Sequence, residues 1–195
     1  QLTASWCNAQ PWQVHIVSGE PLEQLRMALV EASASVPASP DLAFPSEYLG
    51  KYLERRRECG WRLYESVGVA RGDRDGSTRQ VRENFRMFGA PHAAFVTSPR
   101  EMGVYGAIDC GAWVANFMLA AAARGVASIA QAALASYPDI VRRELGIPED
   151  RILVCGVSFG HEDQAHPVNS FRMGRASLAE SVVWVGEASA VCGPT

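Results

Sequence analysis

Five side chains between Ser5 and Trp12 have the chemistry of a recognition loop: Ser5, Asn8, Gln10, Pro11 and Trp12. A hydroxyl and two carboxamides offer directed donors and acceptors, and the proline and indole add rigidity and a flat apolar surface. An apolar run, Val14-His15-Ile16-Val17, follows at once and reads as a strand. Amides in a loop ahead of a buried strand suit a planar ligand with several polar edges. A capped turn entering a strand would use the same residue types. No side-chain set elsewhere announces nucleophilic or acid-base chemistry. There is no Gly-x-Gly-x-x-Gly, Walker lysine or Gly-x-Ser-x-Gly elbow. The triplet His161-Glu162-Asp163 follows a strand end and reads as a solvated turn. Chemistry in such a chain belongs to a cofactor rather than to a catalytic side chain.

The elements that must position that loop are legible from periodicity. Pro21 suits a helix start, and Leu22, Leu25, Leu29 and Val30 fall at helical spacing. Residues 33–45 form a proline-rich connection. Tyr48, Tyr52 and Leu53 open a second helix whose solvated face carries Arg55, Arg56 and Arg57. Residues 72–77 read as a break before a helix over 78–88. Ala93 to Thr97 is a core strand, and Gly106 to Arg124 is a helix apolar nearly all round, expected inside a core or a subunit interface. Gly125 suits its C-cap. Val126 to Ala133 is strand-like, Pro138 to Leu145 is a short helix ended by Gly146, and Arg151 to Ser158 is a third core strand. A last strand is predicted over Val182–Val185. Interleaved strands and helices indicate an α+β layered domain. One domain over 1–195 is expected, with an excursion at about 40–80 covering the site.

Composition excludes some classes. The 195 residues are 48% hydrophobic and 20% charged, with a formal net charge of −3, so no global basic field recruits nucleic acid. No uninterrupted apolar run reaches the roughly 20 residues of a membrane span, and no partner membrane is expected. The five cysteines (7, 59, 110, 155 and 192) contain no Cys-x-x-Cys and the four histidines no i,i+4 pair, so neither a zinc site nor a disulfide framework is indicated. Cys110 and Cys155 read as buried thiols. A reducing cytoplasm is the expected compartment, and the start Gln1-Leu2-Thr3 shows no basic leader.

Ser5-x-x-Asn8-x-Gln10-Pro11-Trp12 resembles the flavin loop of FMN-dependent nitroreductases, and further segments in the same order strengthen the resemblance. Phe88-Gly89-Ala90-Pro91 resembles the family's Phe-x-Ala-Pro. Asp109-x-Gly111 with Asn116, Leu119 and Gly125 resembles its central helix and exit. Gly146-Ile147-Pro148-Glu149 and the strand through Gly156 match its penultimate region, and Arg175-x-x-Leu178-x-Glu180 its close. The tail from Gly160 to Arg175 looks like the nitrobenzoate reductase branch. The family's opening Arg-Arg-Ser-x-Arg-x-Phe segment lies ahead of the first residue here.

The resemblance implies a mostly antiparallel central sheet flanked by helices, a long buried central helix, and a homodimer that builds its flavin sites from both chains. It implies FMN as cofactor, contacted by Ser5, Asn8, Gln10, Asn84, Ala130, Gln131, Ala132, Arg172 and Arg175. In that reading the arginines grip the phosphate and the amides serve the ribityl chain and ring edge. Phe44, Tyr48 and Tyr52 would meet the substrate. The implied activity is NAD(P)H oxidation coupled by a ping-pong cycle to reduction of a nitroaromatic, a quinone or a similar flat acceptor. A flavin-binding protein with little NAD(P)H turnover, or a domain with no cofactor, are the rival readings.

Overall fold

The structure is a computed structural model that describes residues 2–186. Four strands form one antiparallel sheet: β1 (Gln13–Ser18), β2 (His92–Pro99), β3 (Ala127–Gln131) and β4 (Arg151–Gly160), in the order β1-β2-β4-β3. The central pair, β2 and β4, is rich in β-branched and small residues and is largely buried. Register runs His15 to Phe95 to Gly156 to Gln131 across the sheet, and shifts between Val96 and Thr97.

Helices cover both faces. On one face α1 (Gly19–Ser35) and α5 (Pro138–Leu145) bring Leu22, Leu25, Leu29 and Val141 onto Val17, Phe95 and Leu153. The helical spacing of the three leucines explains that stripe. Pro138 opens α5, and Gly146, at φ 64°, ends it in the left-handed region where a Cβ is disfavoured. On the other face α4 (Gly103–Ala122) sets Cys110 and Val114 against Ala94, Val96 and Val157, with Trp113 and Phe117 alongside. Two further helices, α2 (Gly50–Ser66) and α3 (Arg74–Arg82), lie between α1 and β2 in sequence, and α6 (Leu178–Ser181) follows the sheet.

In the single chain the long helix is buried along one side: Gly106, Asp109, Cys110 and Val114 are buried, while Val104, Ile108 and Leu119 are more than half exposed. Two expectations need correction. The expected break over 72–77 ends at Asp73, and the helix after it is α3 (Arg74–Arg82) rather than 78–88, because the Asp73 carboxylate accepts the Gly76 N–H at 2.8 Å and caps the first turn. Val182–Val185 is not a strand: among the described residues none pairs with it, and Val183, Trp184 and Val185 stand exposed.

The segment Arg100–Ala122, with a mean hydropathy of 1.3 over its most apolar window, is long and apolar enough by composition to cross a membrane. Its inner stripe is instead engaged by the sheet, and Asp109 within it is buried with two hydrogen-bond contacts.

Candidate active site

The loop ahead of β1 is built around three non-glycine residues in the left-handed region: Cys7, Asn8 and Gln10, at φ 50°, 56° and 47°. Such backbone is sparsely populated for L-residues, and runs of it gather where a loop presents groups to a ligand. Internal bonds hold it. The Gln10 N–H donates to Ser5 Oγ at 2.9 Å, and Gln10 Nε2 donates to the Asn8 carbonyl and Oδ1 at 3.3 and 3.2 Å. The Trp6 N–H donates to both carboxylate oxygens of Asp109, at 3.2 and 3.1 Å, which moors the loop on α4. Asn116 Nδ2 donates to Thr3 Oγ1 at 2.9 Å and moors its start. The structure therefore brings Ser5, Asn8 and Gln10 together beside α4, with Asn8 and Gln10 exposed and Ser5 half-buried.

A second set forms at the end of β3. Gln131 is 3% exposed, and its Nε2 donates to the Asn84 carbonyl at 3.0 Å and Oδ1 at 3.2 Å. Its Oε1 accepts the Ser158 hydroxyl. Both ends of the Gln131 amide are thus engaged inside the fold. Its side chain positions Asn84, and Ala130 and Ala132 on either side are exposed. The turn ahead of β2 is left-handed too, at Met87 (φ 55°), Phe88 (φ 51°) and Gly89 (φ 74°).

The remaining expected residues are not joined to these sets within one chain. Arg172 donates to Glu162 at 2.7 Å and to the Asn169 and Phe171 carbonyls, and Arg175 donates to the Met173 and Gly174 carbonyls. Both are exposed, and their hydrogen bonds go to the tail itself rather than to the Ser5–Gln10 loop. Phe44, Tyr48 and Tyr52 are exposed on the excursion. The Arg56 guanidinium lies 5.3 Å from the Tyr48 ring and Lys51 Nζ 5.7 Å from that of Tyr52. The excursion and the tail meet each other: α2 packs on the 167–169 turn, and Arg55 bonds Glu180 of α6 at 2.9 Å.

Cys110 is buried and Cys155 partly so. Burial, with the neighbouring Cys155, pushes the Cys110 thiol up to about 12, and burial pushes that of Cys155 to about 11. Both are inert packing thiols at neutral pH. Cys192 lies outside the described residues. The three-residue set His161-Glu162-Asp163 is exposed, with Glu162 bound to Arg172.

The excursion is moored at its base by Asp41, a residue to which sequence reading assigned no role. Its carboxylate pairs with Arg142 of α5 and accepts the Leu153 N–H at 2.7 Å. No local pattern betrays such a pair, because its members stand 101 positions apart. Asp109 carried a signal, as an acid within an otherwise apolar helix.

An antiparallel sheet with one helix on one face and two on the other, and a strained amide loop ahead of its first strand, define an α+β layered fold with a candidate ligand loop. Residues 1–161 match the nitroreductase family, and the chain belongs to that family. It is 40% identical to the nitroreductase NfnB of Mycolicibacterium smegmatis over 89% of this chain and 74% of that one. It is 31% identical to a 4-nitrobenzoate reductase of Pseudomonas putida, over 90% and 77%. Among solved structures it superposes on the FMN-dependent NfnB of Mycobacterium smegmatis in complex with NADPH with a TM-score of 0.89 and 38% identity, covering 95% of this chain and 83% of that one. An FMN and NADPH-dependent NfnB of Sphigopyxis sp. strain HMH matches with the same TM-score at 35% identity, over 95% and 85%.

Proposed function

We propose that this chain is an FMN-dependent NAD(P)H oxidoreductase that reduces nitroaromatic and similarly flat acceptors. The observation that carries the reading is the Ser5–Gln10 loop, three left-handed residues moored on Asp109, in a chain of the nitroreductase family. The donor chemistry fits FMN. The Asn8, Gln10 and Asn84 carboxamides, with the exposed Ala130 and Ala132 on either side of Gln131, match a ribityl chain and a pyrimidine edge, and two exposed arginines match a phosphate. FMN held there would supply two-electron redox chemistry between a nicotinamide donor and a flat acceptor.

The protein's own part is position and field. Asn8 and Gln10 hold the cofactor's polar edge, with Ser5 fixing the loop beneath them through its bond to the Gln10 N–H. Gln131 holds Asn84 in place, and Arg172 and Arg175 neutralise the phosphate. Fixed donors of this kind stabilise charge as it develops without reorganising. The Phe44, Tyr48 and Tyr52 segment forms the acceptor wall within the 40–80 excursion. A homodimer completes the site, with the tail arginines and excursion of one subunit facing the amide loop of the other. The apolar stripe on α4 and the separation of the two residue sets within one chain support that assembly. Unpaired thiols at Cys7, Cys59, Cys110 and Cys155 suit a reducing cytoplasm.

The test is the visible spectrum of the FMN-loaded protein under anaerobic conditions. NADPH bleaches the flavin bands and a nitrobenzoate restores them; a parallel NADH titration settles the donor. Bands that persist with both nucleotides overturn the reductase reading and leave a flavin-binding protein.

A further inference from the structure

The amide loop is moored at its front by Asp109; at its back stands Pro11, whose carbonyl is its only backbone hydrogen-bonding group. That carbonyl accepts Nη2 of Arg151 at 2.7 Å, across 140 residues of sequence. The same guanidinium donates from Nη2 to the Thr97 carbonyl at 3.0 Å and from Nε to Thr97 Oγ1 at 2.8 Å. Thr97 is fully buried and its hydroxyl in turn donates to the Gln13 carbonyl at 3.1 Å, on the first residue of β1. One planar fork therefore joins the end of the loop, the end of β2 and the start of β4, with β1 joined through the Thr97 hydroxyl.

The root of the fork is held as well. The Arg151 carbonyl accepts Nε and Nη2 of Arg142 at 3.3 and 3.0 Å, and Arg142 is clamped by Asp41 and by Asp139 at 2.9 Å. Asp41 belongs to the base of the excursion. A continuous chain of charge-assisted bonds thus runs from the excursion, through α5 and the first residue of β4, to the loop that bears Asn8 and Gln10. A lysine could reach one of the Arg151 acceptors but could not fork across them.

We propose that Arg151 is a positioning residue for the cofactor, setting the register of the Ser5–Trp12 loop so that Asn8 and Gln10 are presented in their left-handed conformation before any ligand arrives. Without the fork the loop keeps its upstream ties at Thr3 and Trp6 and the packing of Trp12 and pairing of Gln13 downstream, but the Pro11 carbonyl, next to the two amides, loses its partner. The left-handed backbone at 8 and 10 then relaxes toward ordinary regions, and ligand binding must restore it. The proposal rests on the flavin reading for the identity of the ligand, but its structural half does not.

The experiment compares the full chain with Arg151→Gln and Arg151→Lys, first without FMN, by hydrogen-deuterium exchange of peptides spanning 4–12, with peptides from β3 and α1 as internal controls. In Arg151→Gln the 4–12 amides exchange about tenfold faster while the controls keep their rates, and the FMN Kd rises about tenfold, the scale of one lost charge-assisted bond. Turnover at saturating FMN keeps its nitroaromatic KM. Arg151→Lys falls between the two. Unchanged exchange over 4–12, or an equal loss of protection in the controls, overturns the proposal. If Arg151→Gln does not fold, the lysine variant answers by the same ratio, and an unchanged ratio overturns it. Failure of the parent to bind FMN sinks the functional reading alone, since the exchange ratio still decides what Arg151 does.

Discussion

At the scale of single residues, the buried charges identify where the fold is under tension. Asp41 and Arg142 each leave less than a tenth of their side chain exposed. Burial alone would raise the Asp41 pKa, but hydrogen bonds from Arg142 and the Leu153 N–H, and the charges of Arg142 and Arg100, reverse that and hold it below its ordinary value of 3.8. In the range below 3.8 the unfolded chain then binds more protons at this site than the folded one, so stability from Asp41 is fully present above 3.8 and is lost as pH falls through the lower folded value. Asp41→Asn keeps the shape but leaves the buried Arg142 charge with only the solvent-exposed Asp139 as an acidic partner, at a cost of about 3 kcal/mol near neutral pH. Urea unfolding of variant and parent checks it: the gap between them narrows as pH drops below about 4. A gap independent of pH would mean that the loss is one of packing. Neither Asp41 nor Arg151 stood out in the sequence, for each acts on groups more than a hundred positions away that only the strand order brings near. Ser5, Asn8 and Gln10 were legible because their partners are one another.

At the scale of elements, close approach decides which glycines matter. Gly156 sits in the middle of β4, opposite Phe95 and Gln131, with Leu134 lying on it. A Cβ there would come within 2.5 Å of Leu134 Cδ1 and 2.9 Å of its Cβ. Leu134 belongs to the turn that directly follows Gln131, so the clash is transmitted to the residue that holds Asn84. Gly156→Ala costs about 1–3 kcal/mol by overpacking and weakens FMN binding with it. Gly60, inside α2, meets nothing within 4 Å and has an ordinary helical backbone, so Gly60→Ala gains about 0.5–1 kcal/mol. Thermal unfolding of the two variants gives opposite signs; the same sign for both would show that space around the added methyl is not what governs these sites. Element limits followed the local signals well where cap and stripe agreed, as in Pro138–Leu145 with its left-handed Gly146. They failed where β-branched residues had no neighbour to pair with, as at Val182–Val185, because a strand is a property of two segments and only one of them can be read locally.

At the scale of the whole molecule, the single chain leaves one side of its most apolar helix uncovered. Val104, Ile108, Gly111, Ala112, Ala115 and Leu119 recur at helical spacing along the outer face of α4, and all are exposed. Trp6, whose ring packs 5.4 Å from that of Tyr105, continues the face onto the amide loop. A soluble chain seldom exposes a continuous apolar stripe beside a functional loop unless something covers it. A second copy, packed stripe to stripe about a two-fold axis, covers both faces at once. In the proposed dimer the tail arginines and excursion of one subunit would complete the site at the other's loop, so assembly and cofactor binding are expected to form one equilibrium. Ile108→Glu and Leu119→Glu, placed on the outer face where neither touches the core, convert the protein to a monomer in analytical ultracentrifugation without loss of its helical circular dichroism. Both then lose FMN together with the dimer, and adding FMN to the parent tightens the dimer by linkage. A monomeric variant that retains FMN at the parent's affinity would place the whole site within one chain and remove the reason for the exposed stripe to lie beside the loop.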